Sequence, residues 1–117
     1  MAVSPSYIDF IKDLFSSYGD ISVRKMFGGA GVYRDGRMFA LIADDELWLK
    51  ADDDTRAAFE AASAERFSFV SKGEPRSMSY YRAPEEMFDD PDILRDWADR
   101  AMAAAMRAPK PKPKTKK

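Results

Sequence analysis

Three glycines within four positions, Gly28, Gly29 and Gly31, sit inside the run Lys25-Met26-Phe27-Gly28-Gly29-Ala30-Gly31-Val32-Tyr33, between apolar residues. Each glycine in the interior of a helix or strand costs about 0.5–1 kcal/mol relative to alanine, so the cluster needs a local reason. A phosphate cradle is one candidate, because glycine lets backbone N–H groups approach an anion. The spacing fits neither GxGxxG nor GxxxxGK[ST], however, and no clear helical pattern follows. The remaining reading is structural: Met26, Phe27, Gly28, Gly29 and Gly31 form a bend or bulge within one long strand from about Val23 to Arg34.

Around this run the period is close to two. Ile21 and Val23 alternate with Ser22 and Arg24 before the glycines, and Asp35-Gly36 after them is a strong hairpin signal, since a type I′ turn needs positive φ at both central positions. Met38 to Ala43 is a continuous apolar stretch, read as a central strand covered on both faces. Asp44-Asp45 turns the chain into Glu46 to Lys50, where Leu47 and Leu49 share one face and Trp48 and Lys50 the other. The expectation is a three-stranded antiparallel meander. A second hairpin follows: Phe67 and Phe69 alternate with Ser68 and Val70, Lys72 to Pro75 turn, and Met78 and Tyr80 alternate with serines and Tyr81.

Helices flank these strands. Ser4-Pro5 combines an N-cap hydroxyl with a proline preset for the first helical position, and Tyr7, Ile8, Ile11, Leu14, Phe15 and Tyr18 then recur at helical spacing up to Gly19, giving a helix over about 4–18. Asp52-Asp53-Asp54 lacks the spaced acids, central glycine and distal glutamate of a calcium loop, and reads as the cap and first turn of an alanine-rich helix over about 53–63. Asp90-Pro91-Asp92 repeats the cap-proline device ahead of a last helix to about 107, with Leu94, Trp97, Ala98, Ala101 and Ala105 as its buried stripe.

Composition narrows the chemistry. The 117 residues contain no cysteine and no histidine, which removes disulfides, thiol nucleophiles, Ser-His triads and the common zinc and haem ligand sets. No cofactor or metal is implied. No apolar run approaches the 18 or so residues of a membrane span, so the expected compartment is the cytoplasm. The net charge of −1 conceals a division: residues 109–117 carry five lysines and no acid, leaving 14 basic against 20 acidic side chains in residues 1–108. The domain is therefore placed at 1–108, with Pro109 to Lys117 read as a disordered, solubilising tail.

The order and spacing of Arg24 to Gly29, Gly31-Val32-Tyr33, Asp35-Gly36, Met38 to Leu41, Leu47 to Lys50, Phe67 to Lys72, Met78 to Tyr81, Pro84 and the Leu94 to Ala105 segment with Trp97 together resemble the TfoX N-terminal domain family. This module stands at the front of TfoX/Sxy regulators of natural competence and also occurs alone. The resemblance covers about residues 5–106. It implies an α+β two-layer sandwich, α-β(3)-α-β(2)-α, with helices on one face of a curved antiparallel sheet, much like type III secretion chaperones. It implies no reaction, no catalytic residues and no cofactor.

Three functions compete on the residues. A non-enzymatic regulatory or protein-interaction module would use the helix-free sheet face, where alternation directs Trp48 and Lys50, with Arg24, Arg34 and Tyr80 as further candidates, for self-association or a protein partner. A nucleic-acid-binding protein would use the lysines of 109–117 with strand arginines and aromatic stacking platforms, against which stands a sequence pI near 5.5. An enzyme would use Tyr80-Tyr81 with Arg82, or Lys50 beside Trp48, in acid-base chemistry with a pKa shifted by burial, and nothing in the spacing selects these residues. The interaction module is the expectation.

Overall fold

A computed structural model of the chain describes residues 4–26, 29–62, 64–71 and 73–108. Helix α1 (Pro5–Leu14) is followed by four strands, β1 (Ile21–Met26), β2 (Gly29–Arg34), β3 (Arg37–Ala43) and β4 (Glu46–Lys50). Helix α2 (Arg56–Ala61), strands β5 (Arg66–Ser71) and β6 (Glu74–Arg82), a 3₁₀ turn (Glu85–Phe88) and helix α3 (Pro91–Arg107) complete the elements of the described residues. The strands form one antiparallel sheet in the order β1-β2-β3-β4-β6-β5. The α+β architecture read from the sequence is the one observed.

Chain reversals follow local chemistry. Asp35 and Gly36 both have positive φ, 54° and 77°, as a type I′ turn requires, and Asp44 and Asp45 repeat the device at 53° and 55° without a glycine. Ser4 caps α1 by accepting from the Tyr7 N–H at 3.2 Å, and Asp90 caps α3 by accepting from the Asp92 N–H at 2.9 Å. Ahead of α2 the Asp52 carboxylate closes a turn instead of capping the helix, accepting from the N–H groups of Asp54 and Thr55. Its two oxygens also accept from Arg107 at 2.7 and 3.0 Å, ties that hold the Asp52 carboxyl below the usual range and fasten the end of α3 to this corner.

The glycine run is not a bend in one strand. Met26 pairs with Gly29 and Ile21 with Arg34, so the chain reverses across residues 27 and 28 and the segment is a β1-β2 hairpin. Phe27 and Gly28 themselves lie outside the described residues. Alternation with period two is identical for one curved ribbon and for two strands folded back on each other, which is why the sequence pattern permitted both. The meander consequently has four strands. A register irregularity does occur next door: Val32 pairs with Ala40 but Tyr33 with Met38, leaving Phe39 as the extra residue of a bulge. Phe39 and Ala40 are thereby both fully buried in the same core.

That core lies between the helices and one sheet face. Ile11 and Phe15 from the α1 segment, Phe59 from α2 and Leu94, Ala98 and Ala101 from α3 pack on Val32, Ile42, Leu47, Leu49 and Tyr81. Phe59 is sandwiched between Tyr81, stacked at 5.2 Å, and Trp97 at 4.8 Å. α1 ends at Leu14, four residues short of expectation, and the chain continues through Phe15 to Tyr18 in tight turns, with the Tyr18 N–H donating to the Phe15 carbonyl at 2.9 Å. Phe67, expected beneath the helices, lies on the opposite face. Arg66 pairs with Tyr81, whose ring packs in the helix-side core, so alternation sends Phe67 to the other face with Tyr80. The Phe69 side chain lies outside the described residues.

Candidate interaction surface

The face of the sheet without helices is built from two rows set by the register. In one, Arg24 of β1 stands opposite Gly31 of β2, Gly31 opposite Leu41, Leu41 opposite Trp48 and Trp48 opposite Arg82. In the other, Ser22 stands opposite Tyr33, Tyr33 opposite Met38, and Lys50 opposite Tyr80. Since strand side chains alternate between faces, residues two apart in each strand extend these rows on the same side.

Aromatic rings on this face seat cations. The Arg24 guanidinium lies 5.4 Å from the Tyr33 ring centre, the Lys50 ammonium 5.2 Å from that of Tyr80, and the Arg82 guanidinium 5.1 Å from that of Trp48. Arg82 also donates to Glu46 and Glu65, each at 2.9 Å, joining β4 to the approach of β5. Burial, with the Tyr33 phenol close by, pushes the Tyr80 pKa up to about 12.

Trp48 and Tyr80 occupy the expected face but are not exposed on it. Trp48 retains 6% of its surface and Tyr80 3%, and with Ala43 and Phe67 they form a second apolar cluster against which Met38 and Leu41 pack. The Phe67 ring meets the indole edge-on at 5.0 Å. An exposed aromatic platform at Trp48 is therefore ruled out: the indole is buried and Phe67, on this side by its β6 register, packs against it. Two donors in this cluster, the Trp48 indole N–H and the Arg82 Nε–H, are buried without a partner.

Arg34 does not belong to the surface. Its guanidinium stacks on the Tyr18 ring at 4.5 Å, and the Tyr18 hydroxyl donates to Asp99 at 2.8 Å. Burial and the Asp99 carboxylate push that phenol well above its usual range. Arg34 pairs with Ile21, which packs on the main core, so Arg34 lies on the helix side. Of the glycine motif, Gly29 and Gly31 are buried in β2 and Met26 closes β1 opposite Gly29. The surface thus unites Arg24, Lys50, Trp48 and Tyr80 and adds Tyr33 and Arg82. The sequence singles out Tyr33 as an aromatic platform and Arg82 beside Tyr80-Tyr81, but nothing in it places Arg82 over the Trp48 ring.

The candidate acid-base residues are separated by the fold. Tyr81 stacks on Phe59 on the helix side and donates to Glu60 at 3.3 Å, while Tyr80 and Arg82 face the other way. A cavity lined by Ala51, Asp52, Arg56, Arg66, Ser79 and Tyr81 has a volume of about 10 Å³, room for a single water molecule. No helix among the described residues is long and apolar enough to cross a membrane.

Comparison with known proteins is consistent with this architecture. The TfoX N-terminal domain family matches residues 13–105. The DNA transformation protein TfoX1 of Aliivibrio fischeri is 30% identical over 96 residues, which cover 82% of this chain and 44% of that protein. An uncharacterized 12.7 kDa protein in the trpE 5′ region of Spirochaeta aurantia is 31% identical over 120 residues, covering 99% of this chain and 95% of that one. The chain accordingly spans less than half the length of the transformation protein.

Proposed function

The chain belongs to the TfoX N-terminal domain family, and on that premise we propose that it is a non-enzymatic regulatory module that engages a protein partner of acidic character through its helix-free sheet face. The observation that carries this reading is the seating of Arg24, Lys50 and Arg82 over Tyr33, Tyr80 and Trp48. Arg24 is exposed and Lys50 half-exposed, in a body whose acids outnumber its bases. A cation held over an aromatic ring is preorganised and loses little side-chain freedom when a carboxylate arrives, which favours both affinity and encounter rate. A part in the regulation of competence, suggested by the name of the transformation protein, belongs to this proposal and is supported by similarity over the shared domain.

Binding of single-stranded nucleic acid through the same face is less well supported. Stacking platforms need open ring faces, and Trp48 and Tyr80 are closed off. The test is affinity capture of partners from the native cell with wild type and with Arg24→Glu/Lys50→Glu, after nuclease treatment. A defined protein retained by wild type and lost by the double variant is the expected result. Equal retention by both, or loss of all binding on nuclease treatment, refutes the proposal.

A further inference from the structure

Phe10 is one of two large apolar side chains left well exposed among the described residues, with 46% of its surface open. It is not isolated. Its ring stacks on Phe88 of the 3₁₀ turn, 6.1 Å between centres and 15° from parallel, and meets Tyr7 at 5.7 Å. Tyr7, Phe10 and Phe88 thus make a continuous aromatic strip joining α1 to the segment ahead of α3.

The rim of this strip is acidic. Asp45 and Glu46 lie close enough to Tyr7 to help burial raise its phenol pKa. Asp13 stands one helical turn from Phe10 on the same side of α1, with Asp9 adjacent. In a 3₁₀ turn residues i and i+3 eclipse, which sets Glu85 beside Phe88, and Asp89 follows it. Lys12 on α1 is two positions from Phe10 and so points away from it, while Glu46 of the rim is paired with Arg82.

The complement of an acidic aromatic strip is a segment combining apolar rings with positive charge, and the chain carries one in Pro109-Lys110-Pro111-Lys112-Pro113-Lys114. We propose that these Pro-Lys repeats of one copy dock on the Tyr7-Phe10-Phe88 strip of a second copy, and reciprocally, closing a two-fold dimer. Proline-rich segments lose little entropy on binding aromatic surfaces, and intervening lysines would meet the acidic rim. Geometry favours exchange between copies over a return within one. α3 has 17 residues and is about 25 Å long, a span that the six residues 109–114, at about 3.1 Å each, would not cover. A reciprocal contact is also closed, so it gives a dimer and not a fibre.

The test is light scattering on the full chain over a range of concentrations at low and high salt. Expected are a concentration-dependent dimer at low salt, weakened by added salt, and its loss both in Phe10→Ser and in Lys110→Glu/Lys112→Glu/Lys114→Glu, with unchanged circular dichroism in each. An equimolar mixture of the two variants keeps one intact strip and one intact segment and recovers a weaker heterodimer. A monomer at every concentration in low salt overturns the proposal, as does a dimer that either variant leaves intact. Arg24→Glu/Lys50→Glu should dimerise like wild type. Loss of the dimer there would place the interface on the helix-free sheet face instead, so this outcome is distinguishable from failure of the functional reading above.

Discussion

Removing Phe59 should detach α2 from the body of the protein. This short helix, Arg56–Ala61, buries only Phe59, which is fully inaccessible, while Ala57 and Ala61 are exposed. The ring is held between Tyr81 at 5.2 Å and Trp97 at 4.8 Å and so joins the sheet to α3. Phenylalanine-to-alanine changes in a core cost about 3–5 kcal/mol, and two lost aromatic pairs place Phe59→Ala in the upper half of that range. For a domain of this size, about 4 kcal/mol corresponds to a fall in Tm of roughly 15–25 °C. Phe59→Leu, which keeps most of the volume, should cost about 1–1.5 kcal/mol. Urea unfolding followed by tryptophan emission measures both, and hydrogen exchange should show protection lost first over residues 56–61 in the alanine variant. A cost for Phe59→Ala below about 1.5 kcal/mol would refute the claim that this one ring anchors the helix.

Asp44 has φ 53° in a turn whose next residue is also left-handed and acidic, and no hydrogen bond ties its side chain among the described contacts, so Asp44→Gly should stabilise the protein by about 0.5 kcal/mol and raise Tm by about 2–4 °C. A fall in Tm would show that the turn is not strained. Tyr80, with its pKa raised to about 12, should ionise in a late phase of an ultraviolet titration of the tyrosines together with Tyr18, which is raised further, and Tyr80→Phe should remove one tyrosine's share of that phase. Because the folded pKa lies above the unfolded value near 10, the associated stability is fully present below about pH 10 and is lost as pH rises toward 12. A Tyr80 that ionises together with exposed tyrosines would contradict its burial.

The elements most legible in the sequence are those whose signals are local. Ser4-Pro5, Asp90-Pro91 and Asp35-Gly36 each state a cap or a turn in two residues, and all three perform those tasks. The parity of Trp48 and Lys50 followed from Leu47 and Leu49 alone. The glycine hairpin was hidden because a reversal over two residues preserves alternation on both sides, and the face of Phe67 because it is set by Arg66 standing opposite Tyr81, a register that no residue of β5 announces. Arg34 shows a third kind of limit. Its partner, the Tyr18 ring, comes from the end of the first helical segment, and nothing near residue 34 announces it.

The burial of Trp48 and Tyr80 changes what the helix-free face can recognise. Had the rings been open, flat apolar contact would dominate and a wide range of partners would fit. With Phe67 packed against the indole and Lys50 and Arg82 placed over the two rings, the accessible chemistry is that of ammonium and guanidinium groups on a stiff support. Arg82 is already committed to Glu46 and Glu65, so a partner carboxylate near it would compete with two existing ion pairs. Arg24 and Lys50, which among the described residues rest on the Tyr33 and Tyr80 rings, carry no such competition. Selectivity for an acidic partner should therefore concentrate at these two positions on β1 and β4, across the width of the β1-β2-β3-β4 meander. That separation calls for a partner with two acidic groups on an extended surface in preference to a single carboxylate.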